Sequence, residues 1–225
     1  MKIFSLPSKI PVKRSAGNSG LALLFDMDST LYTNEEYAQS QIDLPIARLA
    51  EIKGKTFNEM NDEIARFRKD WAESHDGKQI SLGNTFLAFG ISIKENVLWR
   101  EELCRPEDYL CEDKKLRSAL LELGSFFSLA VVTNNPVSIA LRTLETLGAG
   151  GVIKNIIGLN TFLLSKPDRK IFIEAANMCT VPVHKCISIG DRYDIDIALP
   201  LELGMGGILV DGVCDIYELT RLLIE

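Results

Sequence analysis

Long apolar runs, paired cysteines and an excess of basic residues are all missing from this sequence, and each absence excludes a class of protein. Nowhere among the 225 residues does an apolar run approach the roughly 20 residues that a membrane-spanning helix needs, so we expect no membrane segment. The formal net charge is −6, which argues against binding to a nucleic-acid polymer, because such binding requires a basic face. A small nucleotide remains compatible with this charge.

The five cysteines are scattered along the chain, and none of them belongs to a C-x-x-C pair. An odd, dispersed set fits reduced thiols better than a disulfide framework, so we expect a cytoplasmic protein whose cysteines are mostly buried as small apolar side chains. Residues 1–20 carry four basic side chains without the apolar segment of a secretory signal, which predicts an extended N-terminal arm.

Five apolar residues in the stretch Leu21–Leu31 run directly into two aspartates, Asp26 and Asp28. A continuous apolar run of this length is typical of a strand buried on both faces, as in a parallel sheet. Ligands of open α/β sheets bind at the C-terminal ends of the strands. Because unpaired buried carboxylates are costly, this pair needs protons or a cation, and a divalent metal would satisfy both aspartates. The alternative is a turn in which the polar side chains only cap the following segment.

Residues 33–104 contain no buried-strand pattern. Apolar residues at helical spacing predict amphipathic helices within Glu35–Glu51 and Phe57–Trp71, and two shorter helices are expected near Ser81–Phe89 and Lys94–Leu103. Together they predict an all-helical segment inserted directly after the carboxylate pair.

Strands and helices alternate from residue 105 onward. Four strands are expected, at Leu129–Val132, Asn155–Gly158, Cys186–Ile189 and Gly206–Val210. Four helices are expected, at Asp113–Leu123, Val137–Leu147, Arg169–Met178 and Ile216–Ile224. This alternation implies βαβ units, so the predicted fold is α/β, a doubly wound, Rossmann-like parallel sheet with an inserted all-helical domain.

Two later segments bring polar side chains to a strand end or a helix start, where they can meet the aspartate pair. Thr133 ends a predicted strand before a helix, and a hydroxyl beside free backbone N–H groups suits an anion. The alternative for Thr133 is a plain helix cap. Lys166 lies at another helix start, in Ser-Lys-Pro-Asp, where it can neutralise a phosphoryl group or remain a solvated surface lysine.

The third segment places Asp191 directly after Gly190 at the end of a predicted strand, and Asp196 follows five residues later. Glycine permits a tight turn at this point, which would direct Asp191 toward the same edge of the sheet. A charged loop with helix-capping aspartates is the alternative.

These segments occur in the order Asp-x-Asp-x-Thr, a strand ending in Thr-Asn, Lys-Pro-Asp, and Gly-Asp followed by a further Asp. In this order they resemble the four motifs of the haloacid dehalogenase-like (HAD) hydrolases, over residues 21–32 and 105–225. The helical insertion stands where that family carries its first type of cap domain. The resemblance therefore implies a catalytic core of residues 21–32 and 105–225, with residues 33–104 as a helical cap.

The resemblance implies a Mg²⁺-dependent phosphatase that acts on a small phosphorylated metabolite. Asp26 would be the nucleophile that forms an aspartyl-phosphate, and Asp28 would be the general acid and base. Dehalogenases of the family use the first aspartate but lack the second, so Asp28 favours phosphoryl chemistry. The alternatives are a phosphomutase with the same intermediate and a non-catalytic binding module on the same fold.

Binding roles are likewise implied by the resemblance. Two side chains and an assisting amide would bind the phosphate group: Thr133, Lys166 and Asn134. Mg²⁺ would be held by oxygen ligands, as it prefers, and supported by one further carboxylate. The implied ligands are the Asp26 carboxylate, the Asp28 backbone carbonyl and Asp191, and the supporting carboxylate is Asp196.

Two positions depart from the family pattern, since Arg192 stands where a small polar residue is common and Pro200 stands where alanine is common. Both bear on substrate detail more than on the reaction. The stretches 105–110, 116–120 and 131–135 are similar to pyrimidine 5′-nucleotidase-like members of the family. A nucleoside monophosphate or a sugar phosphate is therefore the expected kind of substrate.

Overall fold

The protein is described by a computed structural model over residues 1–7 and 20–224, and six strands in this part of the chain form one sheet. In chain order the strands are β1 (Lys2–Ser5), β2 (Ala22–Phe25), β3 (Ser128–Val132), β4 (Asn155–Ile157), β5 (Cys186–Gly190) and β6 (Gly206–Leu209). Their order across the sheet is β1-β6-β5-β2-β3-β4. Strands β2 to β6 run parallel, whereas β1 pairs antiparallel with β6 at one edge.

Helices occupy most of the remaining described chain. Those between β2 and β3 are α1 (Glu35–Lys53), α2 (Phe57–Glu73), α3 (Leu82–Ala88), α4 (Ile93–Leu103) and α5 (Lys114–Gly124). Those that follow β3 are α6 (Val137–Thr146), α7 (Leu159–Phe162), α8 (Arg169–Met178), α9 (Ala198–Glu202) and α10 (Val213–Ile224). One π-helical turn, Tyr193–Ile197, precedes α9.

Strand β2 lies inside the sheet with all four residues buried, as its continuous apolar run predicts. Leu23 and Phe25 belong to the apolar cluster on one face, which α5, α6 and α10 complete. Ala22 and Leu24 belong to the cluster on the other face, which α8 completes. Burial of each such leucine or phenylalanine contributes roughly 1.5–3 kcal/mol. Helices on both faces confirm the predicted doubly wound α/β fold.

Helices α1 to α4 share an apolar core of their own and form the cap. This core contains buried residues from all four helices and from the loop between α3 and α4: Ile46, Leu49, Ala50, Met60, Ile64, Phe86, Ile91 and Trp99. Each of these helices begins after a residue whose side chain accepts a backbone N–H: Asn34, Thr56, Ser81 and Ser92. The predicted all-helical insertion is thus present.

Part of the predicted arm is a strand that sequence patterning missed. Residues 2–5 form β1 beside β6, and the amino group of Met1 lies 2.8 Å from an Asp211 carboxylate oxygen. The sequence of β1, Lys-Ile-Phe-Ser, neither alternates between apolar and polar residues nor forms a continuous apolar run, so it gives no local strand signal. Residues 8–19 of the arm lie outside the described residues.

Three of the five cysteines, Cys104, Cys179 and Cys186, are buried, and all five have free thiols. Within residues 1–7 and 20–224, no helix is long and apolar enough to cross a membrane.

Candidate active site

Three of the predicted site residues follow neighbouring parallel strands at the point where each strand ends. Asp26 comes directly after β2, Thr133 after β3 and Asp191 after β5. Backbone hydrogen bonds continue one residue beyond the strands, since Asp26 N–H donates to the Ile189 carbonyl at 2.8 Å. Because β3, β2 and β5 are adjacent and parallel, the three side chains meet at one edge of the sheet.

Lys166 reaches this edge from the loop between α7 and α8 and is fully buried, which excludes a solvated surface lysine. Its Nζ lies 2.6 Å from Asp26 Oδ1 and 2.7 Å from Asp196 Oδ1. Burial would lower the pKa of Lys166, but the carboxylates of Asp196 and Asp26 outweigh burial and raise the pKa. The side chain is therefore held as an ammonium ion between two carboxylates.

Asp26, Asp191 and Asp196 form a group whose carboxylate oxygens lie within 4.8 Å of one another. Asp26 Oδ2 and Asp191 Oδ1 are buried and have no hydrogen-bond partner within the described chain. Burial raises the pKa of Asp191 to about 7, and the charges of Asp26 and Asp196 act in the same direction. Three carboxylates around one ammonium leave an excess of negative charge, and their oxygens suit a hard divalent cation such as Mg²⁺.

The π-helical turn carries Asp196 back against the end of β5. The backbone carbonyl of Asp196 accepts a hydrogen bond from Ser188 Oγ at 2.7 Å, and Asp196 Oδ2 accepts one from the Arg192 backbone N–H at 3.1 Å. A Cβ at Gly190 would lie 2.5 Å from Asp196 Cβ. Glycine is needed here because the two segments approach closely, rather than because its φ angle is positive.

Asp28 lies outside the acidic group and faces donors from the core and the cap. Asn135 Nδ2 donates to both of its carboxylate oxygens, at 3.1 and 2.8 Å. Asp28 Oδ1 also accepts hydrogen bonds from the hydroxyl of Tyr32 at 2.5 Å and from Gln41 Nε2 at 3.1 Å. The chain turns sharply after Asp28 because Ser29 adopts a φ of 55°. The Asp28 carboxylate is thereby oriented toward the cap.

Asn135 is a site residue that sequence reasoning missed. It is buried, and its side chain joins Asp28 to two cap helices. Its Nδ2 donates to Gln41 Oε1 on α1 at 2.6 Å, and its Oδ1 accepts from Arg100 on α4 at 2.8 Å. The only sequence signal was a second asparagine after Thr133, and nothing local indicates which cap residues it would meet.

The side chain of Asn134 contacts the loop that carries Lys166. Its Oδ1 accepts the Lys166 backbone N–H at 2.7 Å, so the side chain fixes the loop that carries Lys166. Thr133 is buried, and its Oγ1 accepts the Asn135 backbone N–H at 3.1 Å. The Thr133 hydroxyl proton therefore remains available to a ligand.

A cavity of about 190 Å³ lies between the core and the cap above this edge of the sheet. Core residues in its wall include Asp28, Asn134 and Asp191. The cap contributes residues of α1 to α4, among them Gln41. A small ligand in this cavity would be enclosed by both parts of the protein.

Comparisons with known proteins identify the family of this chain. A family model described as haloacid dehalogenase-like hydrolase matches residues 21–204. Over 200 residues the chain is 26% identical to the curated glyceraldehyde 3-phosphate phosphatase of Methanocaldococcus jannaschii, with 81% of each protein covered.

Solved structures show the same fold. The HAD phosphatase from Thermococcus onnurineus matches with a TM-score of 0.59 at 18% identity, over 90% of this chain and 97% of that one. A magnesium-bound protein described as the HAD-hydrolase YfnB, from Bacillus subtilis, matches with a TM-score of 0.56 at 15% identity, over 89% and 98% of the chains. At these identities the likeness concerns the fold.

Proposed function

The chain belongs to the haloacid dehalogenase-like hydrolases, and from this premise we propose a Mg²⁺-dependent phosphatase that hydrolyses a small-molecule phosphomonoester through an aspartyl-phosphate. One observation carries the proposal. The acidic group of Asp26, Asp191 and Asp196 surrounds the Lys166 ammonium and retains two buried carboxylate oxygens without partners. This arrangement is incomplete without a cation and a ligand that shares it.

Asp26 is the proposed nucleophile. Lys166 holds its Oδ1, which fixes the carboxylate at the end of β2 and leaves Oδ2 without a hydrogen bond. Asp28 is the proposed general acid and base, oriented by Asn135, Tyr32 and Gln41. The attack on phosphorus would thus fall to Asp26 and the proton transfers to Asp28, two residues later in the same short segment.

The proposed metal ligands are the Asp26 and Asp191 carboxylates and the Asp28 backbone carbonyl, with Asp196 in support. When bound, Mg²⁺ would offset the negative charge that gathers on the transferring phosphoryl group. Thr133 and Lys166 are the proposed phosphate-binding side chains. Asn134 contributes by holding the backbone of Lys166.

The volume of the cavity favours a substrate that is small among the expected phosphorylated metabolites. Its volume of about 190 Å³ is below the roughly 300 Å³ at which pockets for drug-sized ligands begin. A phosphorylated compound of a few carbon atoms fits this volume better than a nucleoside monophosphate does. The curated relative named above is a phosphatase of a three-carbon phosphate.

Phosphate release from a panel of phosphomonoesters, with Mg²⁺ and with chelator, tests the proposal directly. We expect release by the wild type only with Mg²⁺, and none by Asp26→Asn, because an amide is a poor nucleophile. Asp62→Asn, an exposed position on α2, is the matched control and should behave as the wild type. Release by Asp26→Asn at the wild-type rate would reject Asp26 as the nucleophile.

Mass spectrometry of rapidly quenched wild-type protein provides the second readout. A phosphoryl group on the peptide that contains Asp26 is expected, together with free phosphate. A phosphoryl group on Asp26 with isomerised substrate and no phosphate release would identify a phosphomutase instead. Binding of substrate and Mg²⁺ without either product would identify a binding module.

A further inference from the structure

Three arginine side chains line the same cavity and are not needed for the reaction just described. Arg68 comes from α2, Arg100 from α4 and Arg192 from the segment after β5. The aspartates in the cavity wall are Asp28 and Asp191, so guanidinium groups outnumber carboxylates there. Arg68 and Arg100 reach the cavity from the cap, whereas the side chains proposed to bind the phosphoryl group belong to the core, so the two arginines can bind a different part of the substrate.

Arg100 shows most clearly that a guanidinium group in this cavity lacks a counter-charge. Its side chain is 8% exposed, and one Nη donates to Asn135 Oδ1 at 2.8 Å. Its Nε is buried without a hydrogen-bond partner, and within residues 1–7 and 20–224 no carboxylate forms an ion pair with it. A buried guanidinium without a counter-charge is unfavourable, and an anion in the cavity would remove that cost.

Arg68 is half-buried and lies close enough to Arg192 for their charges to repel. Its Nη2 donates to the Ile80 carbonyl at 3.1 Å, and the part of the chain that the structure describes offers it no ion pair. Burial lowers the pKa of Arg68, and the charge of Arg192 lowers it further. Arg192 itself has only a long ion pair, 3.9 Å to Asp191 Oδ1. Most donors of the three guanidiniums are therefore free to bind a ligand.

We propose that the substrate carries a second anionic group, a carboxylate or a further phosphate, which Arg68 and Arg100 bind while the phosphoryl group lies over Asp26. The inference rests on the proposed phosphatase function and specifies its substrate class. A guanidinium presents its N–H donors in a planar fork that matches a carboxylate or a phosphate in pairs. Both arginines belong to the cap, so recognition of this group also favours the enclosed arrangement.

Three compounds that differ only at one end test the inference: 3-phosphoglycerate, glycerol 3-phosphate and glyceraldehyde 3-phosphate. They share a three-carbon skeleton and a phosphomonoester, and end in a carboxylate, an alcohol and an aldehyde. We expect the wild type to show the highest kcat/KM with 3-phosphoglycerate. Propane-1,3-diol bisphosphate, compared with the monophosphate, shows whether a further phosphate replaces the carboxylate. A kcat/KM with the uncharged ends that equals or exceeds the values for both 3-phosphoglycerate and the bisphosphate would overturn the inference and leave the phosphatase function standing.

Arg68→Met removes one charge while it keeps a long side chain on α2. We expect it to lower the ratio of kcat/KM for 3-phosphoglycerate to that for glycerol 3-phosphate about 10- to 100-fold, the loss of one or two charge-assisted hydrogen bonds. Arg66→Met, two residues earlier and exposed, is the matched control and should keep the wild-type ratio. An unchanged ratio in Arg68→Met contradicts the assignment.

Calorimetric binding to Asp26→Asn separates this inference from the proposed function. Tighter binding of 3-phosphoglycerate than of glycerol 3-phosphate would support the second anion site, even if the wild type released no phosphate. Equal binding by Asp26→Asn would count against the site, even if the wild type proved to be a phosphatase.

Discussion

Asn135 links the proposed general acid to the cap through one buried amide. Its two ends contact groups of different chemistry, since Nδ2 donates to Asp28 and Gln41 while Oδ1 accepts from Arg100. No aliphatic side chain of similar volume can replace these hydrogen bonds. Asn135 thus acts through Asp28 as a positioning residue.

Asn135→Leu should therefore lower both stability and turnover. Leaving buried polar partners unsatisfied costs about 1–3 kcal/mol each, so we expect the free energy of unfolding to fall by at least that amount. Denaturant unfolding measures this loss, and kcat should fall more than KM rises because Asp28 loses its orientation. Asn61→Leu, an exposed substitution on α2, is the control. Equal behaviour of the two variants would show that the Asn135 contacts are unimportant.

At the scale of elements, the end of β5 and the following π-helical turn form one unit that places two carboxylates. The turn can lie against the strand because Gly190 has no side chain at the point of closest approach. The hydrogen bond from Ser188 Oγ to the Asp196 carbonyl then fixes the register between them. Asp191 and Asp196, five residues apart in the sequence, are thereby held with carboxylate oxygens within 4.8 Å of each other.

Gly190→Ala should disturb the acidic group without altering any of its members. The added Cβ would lie 2.5 Å from Asp196 Cβ, so the turn must move. We expect weaker Mg²⁺ binding, measured as a higher Mg²⁺ concentration for half-maximal activity, and a loss of about 1–3 kcal/mol in the free energy of unfolding, as is typical of an overpacked site. Gly124→Ala is the control, because its Cβ would make only an ordinary contact of 3.5 Å with Leu129. Full activity at wild-type Mg²⁺ concentrations in Gly190→Ala would contradict the close-approach argument.

At the scale of the whole molecule, the cap has an apolar core of its own, and several of its contacts with the catalytic core are polar. Ser81 Oγ lies 2.9 Å from Ser165 Oγ, and Gln79 N–H donates to Asp194 at 3.1 Å. The apolar contacts between them include a small cluster of Ile93, Val97 and Leu159 and the packing of Tyr37 from α1 into the apolar cluster of the core. Interfaces of this kind permit relative motion of the two parts.

Binding of Mg²⁺ should stabilise the whole fold, because the acidic group draws on β2, β5 and the π-helical turn. A ligand at 100 times its Kd adds about 2.7 kcal/mol to the free energy of unfolding. We therefore expect Mg²⁺ to raise the Tm of the wild type and chelator to reverse the increase. Asp191→Asn should show a much smaller increase than the wild type, and Asp62→Asn the full one. An identical increase in Asp191→Asn would exclude Asp191 as a ligand.

The sequence predicts the parts of this molecule whose signals are local. Strand β2 is a continuous apolar run and β5 is interrupted only by Ser188, and each is followed directly by an aspartate of the candidate site. The contacts of Asn135 with Gln41 and Arg100 join residues far apart in the chain, and no spacing rule indicates them. Strand β1 was missed because its own residues show no strand pattern and its partner β6 lies some two hundred residues away.

The edges of the sheet have a further consequence. Within the described chain the two outermost strands are β1, with four residues, and β4, with three. An outer strand with unpaired N–H and C=O groups is a template on which other chains can add, and short strands offer a poor template. Because β1 pairs with β6 and β4 pairs with β3, the two longest strands, β3 and β5 with five residues each, lie inside the sheet. This placement protects the protein from edge-to-edge aggregation at high concentration.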